Sequence, residues 1–412
     1  MTDGVYILGG WQTDFAANWA REGMEIADAV RLVVDGGLAA TGLEARDIET
    51  VHVGNFAAEL FCGQGHLGGL VAAAHPDLAG VPAARHEGAC ASGSLAVLAA
   101  SAEIEAGRYG LAAVVGVEQM RNVPGDEAAR LIGGPAMWAG HECRGVRFPW
   151  PHIFSLLGDE YEQRYGLDPR HLARIAEINF GNARRNPNAQ TRRWTFTPQS
   201  FAADDAANPV IDGRIRKQDC GQITDGAAIV FLASAPVARA YAARRGLPPG
   251  RLARLRGWGH RTAPITYHAK VEASRGERYV FPWVRATIED AFRRAGLPGV
   301  EAVDGIETHD CFTTTEYMAI DHFGITAPGE SWRAIESGDI EPGGRIPVNP
   351  SGGLIGLGHP VGATGVRMAL DCYKQVTGQA GDCQVEGARR FATLNVGGSA
   401  TTTVSLVVDR AD

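Results

Sequence analysis

Two short segments of this chain carry residue types that chemistry would use. The run HEGACASGSLAVLAASAEIEAG places Cys90 at the start of an apolar, glycine-spaced helix, and GGLIGLGHPVGATGVRMAL places His359 at a second helix start. A thiol at a helix N-terminus feels the positive end of the helix dipole, which favours the thiolate. An imidazole within reach completes its activation as a nucleophile. Glycines around both residues let a bound group approach the backbone closely. The pattern predicts a Cys90 of lowered pKa and covalent acyl chemistry on sulfur.

For these residues to meet, the fold must bring two distant segments together, and an internal repeat says how. AVRLVVDGGLAATGL (29–43) matches WVRATIEDAFRRAGL (283–297) at a constant offset, pairing Val30 with Val284, Val34 with Ile288 and Gly42 with Gly296. Each copy reads as an amphipathic helix closed by glycine. A strand follows in both, IETVHVGNF (48–56) and DGIETHDCF (304–312). The Cys90 helix comes next in one copy and the His359 helix in the other, with Gly93 matching Gly362. LAAVVGVE (111–118) and RFATLNVGG (390–398) then read as strands, and GAAIVFLAS (226–234) and ATTTVSLVV (400–408) close the halves. Strands alternating with helices predict an α/β protein. Two mixed sheets sharing a buried helix layer would bring the equivalent helix starts together at the centre. The expected division is 1–118 plus 219–248 for one half and 249–412 for the other. Between them, 119–218 is a polar insertion of the kind that forms a lid or binding subdomain.

Composition narrows the partners. Glycine supplies 53 of 412 residues without a G-X-Y period, so it reads as tight turns and close packing. A net charge of −8 and a pI near 5.9 argue against nucleic acid. The basic run RRNPNAQTRR (184–193) reads as a solvated face, with a polyanionic ligand as the competing reading. The seven cysteines show no C-x-x-C pair and no zinc-ligand spacing, so no metal is expected and a reducing compartment is. Cys62, Cys143, Cys220, Cys372 and Cys383 read as ordinary buried or surface thiols. No apolar run reaches membrane-spanning length, and the strand-like VYILGG close to Met1 leaves no signal peptide. The expectation is a soluble cytoplasmic protein.

GACASGS, HDCF, GGLIGLGHPVGATG and NVGG stand in the order and near the spacing found in the thiolases, and the chain resembles that family over essentially its whole length. HDCF, in place of an Asn-Glu-Ala-Phe motif, is similar to the sterol-carrier-protein type. HIFSLLGDEYEQRYGL and INFGNARRNPNAQ resemble that subfamily's loop domain. The resemblance implies the thiolase fold, two duplicated βαβαβ halves in α-β-α-β-α layers with an inserted loop domain. It implies that Cys90 attacks a thioester carbonyl and holds the acyl group. His359 would take the Cys90 proton and later bond a thioester oxygen.

His309 and Cys311 lie two apart on an extended segment and so face one side. By themselves they read as a core strand end. The resemblance makes Cys311 the acid/base and His309 the group that polarises the thioester oxygen. A thiol pKa near ~8.5 would suit proton transfer in both directions. The resemblance further implies an oxyanion site from the N–H groups of Cys90 and Gly397, with Asn395 and Gly358 among the substrate-binding residues. Many thiolases carry an acid/base cysteine where Asn395 stands, which leaves that proton to Cys311. Leu394 stands where the subfamily is expected to have histidine. His152 reads equally as a neighbour of the pantetheine entrance or as part of an aromatic cluster.

The implied activity is an acyl-CoA:acetyl-CoA C-acyltransferase working in two steps. Coenzyme A and acyl-CoA would be substrates, with no cofactor and no metal. A homodimer or homotetramer is implied, and a small OB-fold partner is compatible. A ketosynthase on carrier-protein thioesters would lack the HDCF thiol. An aldolase of this fold would not need Cys90, and a C-acylating enzyme acting on a non-CoA acceptor stays open. A lipid-transfer or scaffold subunit finds no added sterol-carrier domain in these residues.

Overall fold

The repeat builds two similar halves whose elements can be followed along the chain. In this computed structural model, residues 4–134, 137, 142–248 and 250–411 are described. The first half holds β1 (Val5–Gln12), α1 (Ile26–Thr41), β2 (Thr50–Gly54), α2 (Leu67–Ala74), β3 (Ala83–His86), α3 (Ser92–Glu105) and β4 (Leu111–Glu118). The chain then leaves the sheet for α4 (Gly125–Gly133), α5 (Pro149–Tyr165), α6 (Pro169–Ala183) and the hairpin β5 (Val210–Asp212) to β6 (Ile215–Arg216). It returns through β7 (Gly226–Ser234) and α7 (Ala235–Arg245). The second half holds β8 (Ala253–Thr262), α8 (Tyr267–Ala273), α9 (Pro282–Ala295), β9 (Gly305–Thr308), α10 (Thr313–Phe323), α11 (Thr364–Val376), β10 (Arg390–Gly397) and β11 (Thr402–Arg410).

Helix α1 shows how the sequence specifies its elements. Ile26, Ala29, Val30, Val33, Val34 and Gly37 are buried at helical spacing, and each large aliphatic among them contributes about 1.5–3 kcal/mol by leaving water. The helix stops where Gly42 takes φ 65° and its N–H bonds the Leu38 carbonyl, a left-handed cap that glycine adopts without strain. Helix α9, its counterpart, is closed by Gly296 in the same way.

Among the described residues, nine strands form one mixed sheet in the order β3-β2-β4-β7-β1-β8-β11-β10-β9. The two mixed half-sheets that the repeat predicts are thus also continuous with each other. The halves are hydrogen-bonded edge to edge where Val5–Ile7 of β1 pairs antiparallel with Ala253–Leu255 of β8. On either side of that seam the order mirrors itself, β1-β7-β4-β2 against β8-β11-β10-β9. The seam escaped the sequence because β8, ARLRGWGHRT, interleaves arginines with small and apolar residues, and its burial alternates along the strand. The short edge strand β3 was missed as well.

Helices cover the sheet in the expected layers. Helix α1 lies on β1 and β7, and α9 lies on β8 and β11. Helices α3 and α11 pack on each other between the halves, α11 touching strands of both. One apolar cluster joins Ile7, Val114 and Val230 to Val97 of α3, Val366 and Leu370 of α11, and Val404 and Leu406. At the start of this central pair the backbones nearly touch. A Cβ on Gly93 would lie 2.7 Å from the Gly362 carbonyl oxygen, and one on Gly365 would lie 2.2 Å from the Ser94 nitrogen. Only glycine permits that approach, and it brings the Cys90 and His359 segments together.

Candidate active site

Cys90 sits in a single 3-10 turn, Ala89–Ala91, directly ahead of α3. Ala89 holds φ 52° there, a left-handed conformation that costs an L-residue about 1 kcal/mol or more. His359 lies after the π-turn Gly353–Leu357 and five residues before α11, not at its first turn. Its backbone N–H donates to Thr224 Oγ1 at 2.9 Å. Gly358 reaches φ 124°, and a Cβ there would press on Thr224 and Gln190. His309 and Cys311 follow β9, ahead of α10.

Cys90, His309, Cys311 and His359 all line one cavity of about 320 Å³. Phe56, Met120, Ile132, Phe148, Trp150 and Phe312 make its wall apolar, and Asp126 and Lys217 stand exposed at its rim. The ligand atoms of Cys90, His309 and His359 lie within 4.8 Å of one another. The two imidazoles meet edge to face, with centroids 5.2 Å apart and planes at 88°.

The surrounding hydrogen bonds give the two histidines opposite tautomers, an assignment drawn from the network itself. Asn395 Nδ2 donates to the Cys90 carbonyl at 3.1 Å and faces His309 Nδ1 at 3.2 Å. Its Oδ1 accepts from Ser94 Oγ at 2.9 Å, which fixes the amide orientation. His309 Nδ1 must therefore accept, and the proton sits on Nε2. For His359, Nδ1 lies 2.7 Å from Thr364 Oγ1, and that hydroxyl gives its own proton to the Pro360 carbonyl at 3.2 Å. His359 Nδ1 is thus the donor, and Nε2, buried with no partner among the described residues, presents a lone pair. One imidazole offers an N–H and the other a base. Because His309 presents a proton rather than a lone pair, this donor set suits proton transfer better than metal binding.

Electrostatics overturn two sequence expectations. Cys90 is pushed up to about 12, chiefly by burial. The N–H groups of Gly398 and of Cys90 itself point at the sulfur and oppose that shift. The dipole argument fails because burial outweighs one turn of aligned N–H groups. His359 is pushed down to about 3 by burial, with Arg367 adding to the effect. His309 is held well below its ordinary value by burial, then by His359. Cys311 is held well above the usual thiol value, first by burial and then by Cys90, so a thiol pKa near ~8.5 is corrected as well. The resting site is four neutral groups.

Other expectations shift position. The N–H aimed at the sulfur belongs to Gly398, not Gly397. Gly397 instead packs on Gly88, whose carbonyl oxygen would lie 2.1 Å from a Cβ there. Cys220, read as an ordinary thiol, stands on the cavity wall. His152 pairs with Asp212 at 2.9 Å, while its neighbours Trp150 and Pro151 line the cavity. The basic run 184–193 lines a separate groove with Lys374 and Asp382, and its Arg192 pairs with Asp14. Leu394 is fully buried. Thr224, Thr364 and Ser94, which orient the reactive groups, gave no sequence signal because hydroxyls are common. Gly398 was visible as half of a Gly-Gly pair, and only the turn decides which N–H faces the sulfur.

Comparison with known proteins gives the family. Residues 5–193 match the family profile "Thiolase, N-terminal domain", and 266–410 match "Thiolase C-terminal domain-like". This chain belongs to the thiolase family. An acetyl-CoA acetyltransferase of Methanothermobacter thermautotrophicus is 32% identical over 98% of this chain and 99% of its own. Sterol carrier protein 2 of Gallus gallus is 28% identical over 98% of this thiolase and 71% of its own length. Among solved structures, human mitochondrial 3-ketoacyl-CoA thiolase superposes with TM-score 0.72 at 15% identity over 99% of both chains. An Ltp2-ChsH2(DUF35) aldolase superposes with TM-score 0.78 at 19% identity over 99% of this chain and 98% of that one. At those identities the structures establish the fold. As a thiolase the protein is an acyltransferase. Among the described residues no helix is long and apolar enough to cross a membrane.

Proposed function

We propose that this thiolase cleaves 3-ketoacyl-CoA with coenzyme A, or condenses two thioesters in reverse, through an acyl group carried on Cys90. The observation that carries the reading is the meeting of two thiols and two oppositely protonated imidazoles in one apolar cavity. His359 Nε2 takes the Cys90 proton as sulfur attacks the ketone carbon, so no free thiolate need exist beforehand. The N–H groups of Cys90 and Gly398 hold the oxyanion, each such donor being worth on the order of 10²–10³ in rate. The bond between C2 and C3 then breaks. His309 Nε2–H bonds the thioester oxygen where enolate charge develops, and the Cys311 thiol protonates C2. Acetyl-CoA leaves. The Cys311 thiolate next takes the proton of incoming CoA, whose sulfur attacks the acyl-enzyme, and Cys90 regains its proton from His359. Asn395 orients His309, and Gly358 lets the chain pass close beneath His359. Coenzyme A and acyl-CoA enter as substrates, and no cofactor is needed for these steps.

The finer surroundings belong to the same proposal. Strand β3 ends the sheet and, among the described residues, is paired on one side only, by β2. An exposed edge of this kind favours pairing with a second copy, and we assign a homodimer or larger homo-oligomer. A small OB-fold partner is proposed by analogy with the fold neighbour that is described together with a DUF35 protein. Seven unpaired thiols fit the cytoplasm. The test is intact mass after incubation with acetoacetyl-CoA. An acetyl adduct present in the wild type and absent in Cys90→Ala is expected. Folded wild-type protein that gains no adduct overturns the reading.

A further inference from the structure

Lys270, on α8, is fully buried and lies outside the cavity wall. Its Nζ donates to Ser399 Oγ at 2.7 Å, to the Ile265 carbonyl at 3.1 Å and to the Thr266 carbonyl at 3.4 Å. An ammonium has three protons, and here each has an acceptor. Ser399 follows Gly398 in the four-residue turn that joins β10 to β11. The turn is strained: Gly398 holds φ 63°, and Ala400, which has a Cβ, holds φ 65°. An L-residue in that region costs on the order of 1–3 kcal/mol and persists only where its surroundings hold it.

The same segments are laced together by further hydrogen bonds. Ala263 N–H donates to the Thr401 carbonyl at 2.7 Å, and Thr401 Oγ1 donates to the Ile265 carbonyl at 3.3 Å. Lys270 joins both sides of this lacing. Burial works against the ammonium and pulls it down to about 7, with Glu142 opposing. A buried cation that ties one serine of this turn to the 265–266 segment is an expensive way to fill space, and an aliphatic side chain would fill it without that cost. What the turn carries is the Gly398 N–H that points at the Cys90 sulfur.

We propose that Lys270 is a positioning residue of the reaction: through Ser399 it fixes the turn that aims the Gly398 N–H at the carbonyl oxygen of the group carried on Cys90. This rests on the acyl-enzyme reading above. In Lys270→Met, Ser399 loses its anchor and the oxyanion donor drifts. A misplacement of about 1 Å in such a site costs up to about a hundredfold, so kcat should fall between about tenfold and a hundredfold. KM should stay within about twofold, because the donor acts mainly on the transition state. Lys270→Arg, which keeps charge and donors, should recover part of the loss.

The deciding readout is the isotope-edited infrared carbonyl stretch of the enzyme acetylated with [1-¹³C]acetyl-CoA. It should move to higher wavenumber in Lys270→Met as the hydrogen bond weakens. Ser399→Ala, which leaves the lysine its two carbonyls, should move it in the same direction by less, and it serves if the methionine variant does not fold. Variants that acetylate normally, keep the wild-type stretch and lose only thermal stability overturn the role of Lys270 and leave the thiolase chemistry standing. Wild-type protein that takes no acetyl group overturns both.

Discussion

The segments 53–56 and 309–312 end equivalent strands in the two halves, and they have been put to different uses. In the first half Val53 and Asn55 are fully buried. Asn55 Nδ2 donates to the Val117 carbonyl and to Glu118 Oε1, both at 2.8 Å. Glu118 also accepts from Phe56, Ala57 and Gly362. Burial pushes its carboxyl up to about 7. All four of its partners are N–H donors, which favour the carboxylate and oppose that shift. In the second half the matching residues are His309 and Cys311, and both face the cavity. The tying role passes to Asp310 between them. It accepts from Leu354, Ile355 and Asn179 and so fixes the turn leading to His359. A carboxylate supplied from within the segment, where the first half draws on Glu118 of β4, leaves its two neighbours free for chemistry.

The comparison can be broken most severely at the nucleophile. Cys90→Ala should cost about 10⁵ in kcat, since a nucleophile acts as a unit with its base, and residual turnover near the wild-type rate would show that the open strand end needs no acyl-enzyme. Next come the matched positions themselves. Cys311→Ala should lower kcat by about 10²–10⁴ for a lost acid/base, with a Tm change of no more than about 2–3 °C. Asn55→Ala should instead cost about 2–3 kcal/mol of stability, because it strips a donor from a buried carboxylate. Equal effects of both on denaturation would erase the distinction between the two ends.

Two smaller effects sharpen the electrostatic side. With Cys90 near 12 and His359 near 3, alkylation of Cys90 by iodoacetamide should be slow at pH 7 and still be climbing above pH 9. A plateau reached below pH 7 would restore the dipole-lowered thiolate. The same shift of His359 has a stability consequence of fixed sign. The unfolded chain takes up a proton below about 6.5 that the folded protein refuses until about 3, so acid destabilises the protein across that window. His359→Asn should therefore show a shallower fall of Tm between pH 7 and 5 than the wild type, and parallel curves would contradict it.

Much of this was legible in the chain. The repeat, its glycine-closed helices and the alternation of strands and helices follow from spacing alone, because period 3.6 and period 2 patterns need no tertiary context. The glycines at 93 and 362 marked where the halves approach. The seam strand β8 stayed hidden because its arginines break the apolar pattern, although Arg254 and Arg256 pair with Asp409. The positions of Gly398 and Lys270 were equally unreadable, since both depend on how one strained turn closes.

Residue types and order determined that a sulfur nucleophile, an imidazole and a second thiol would be available, and which segments would carry them. Tertiary structure alone decided their protonation. Depth of burial, the side on which Asn395 and Thr364 stand, and the direction of one backbone N–H are set by atoms far apart in sequence. Charge and proton position depend on that surrounding medium, and no local pattern records it.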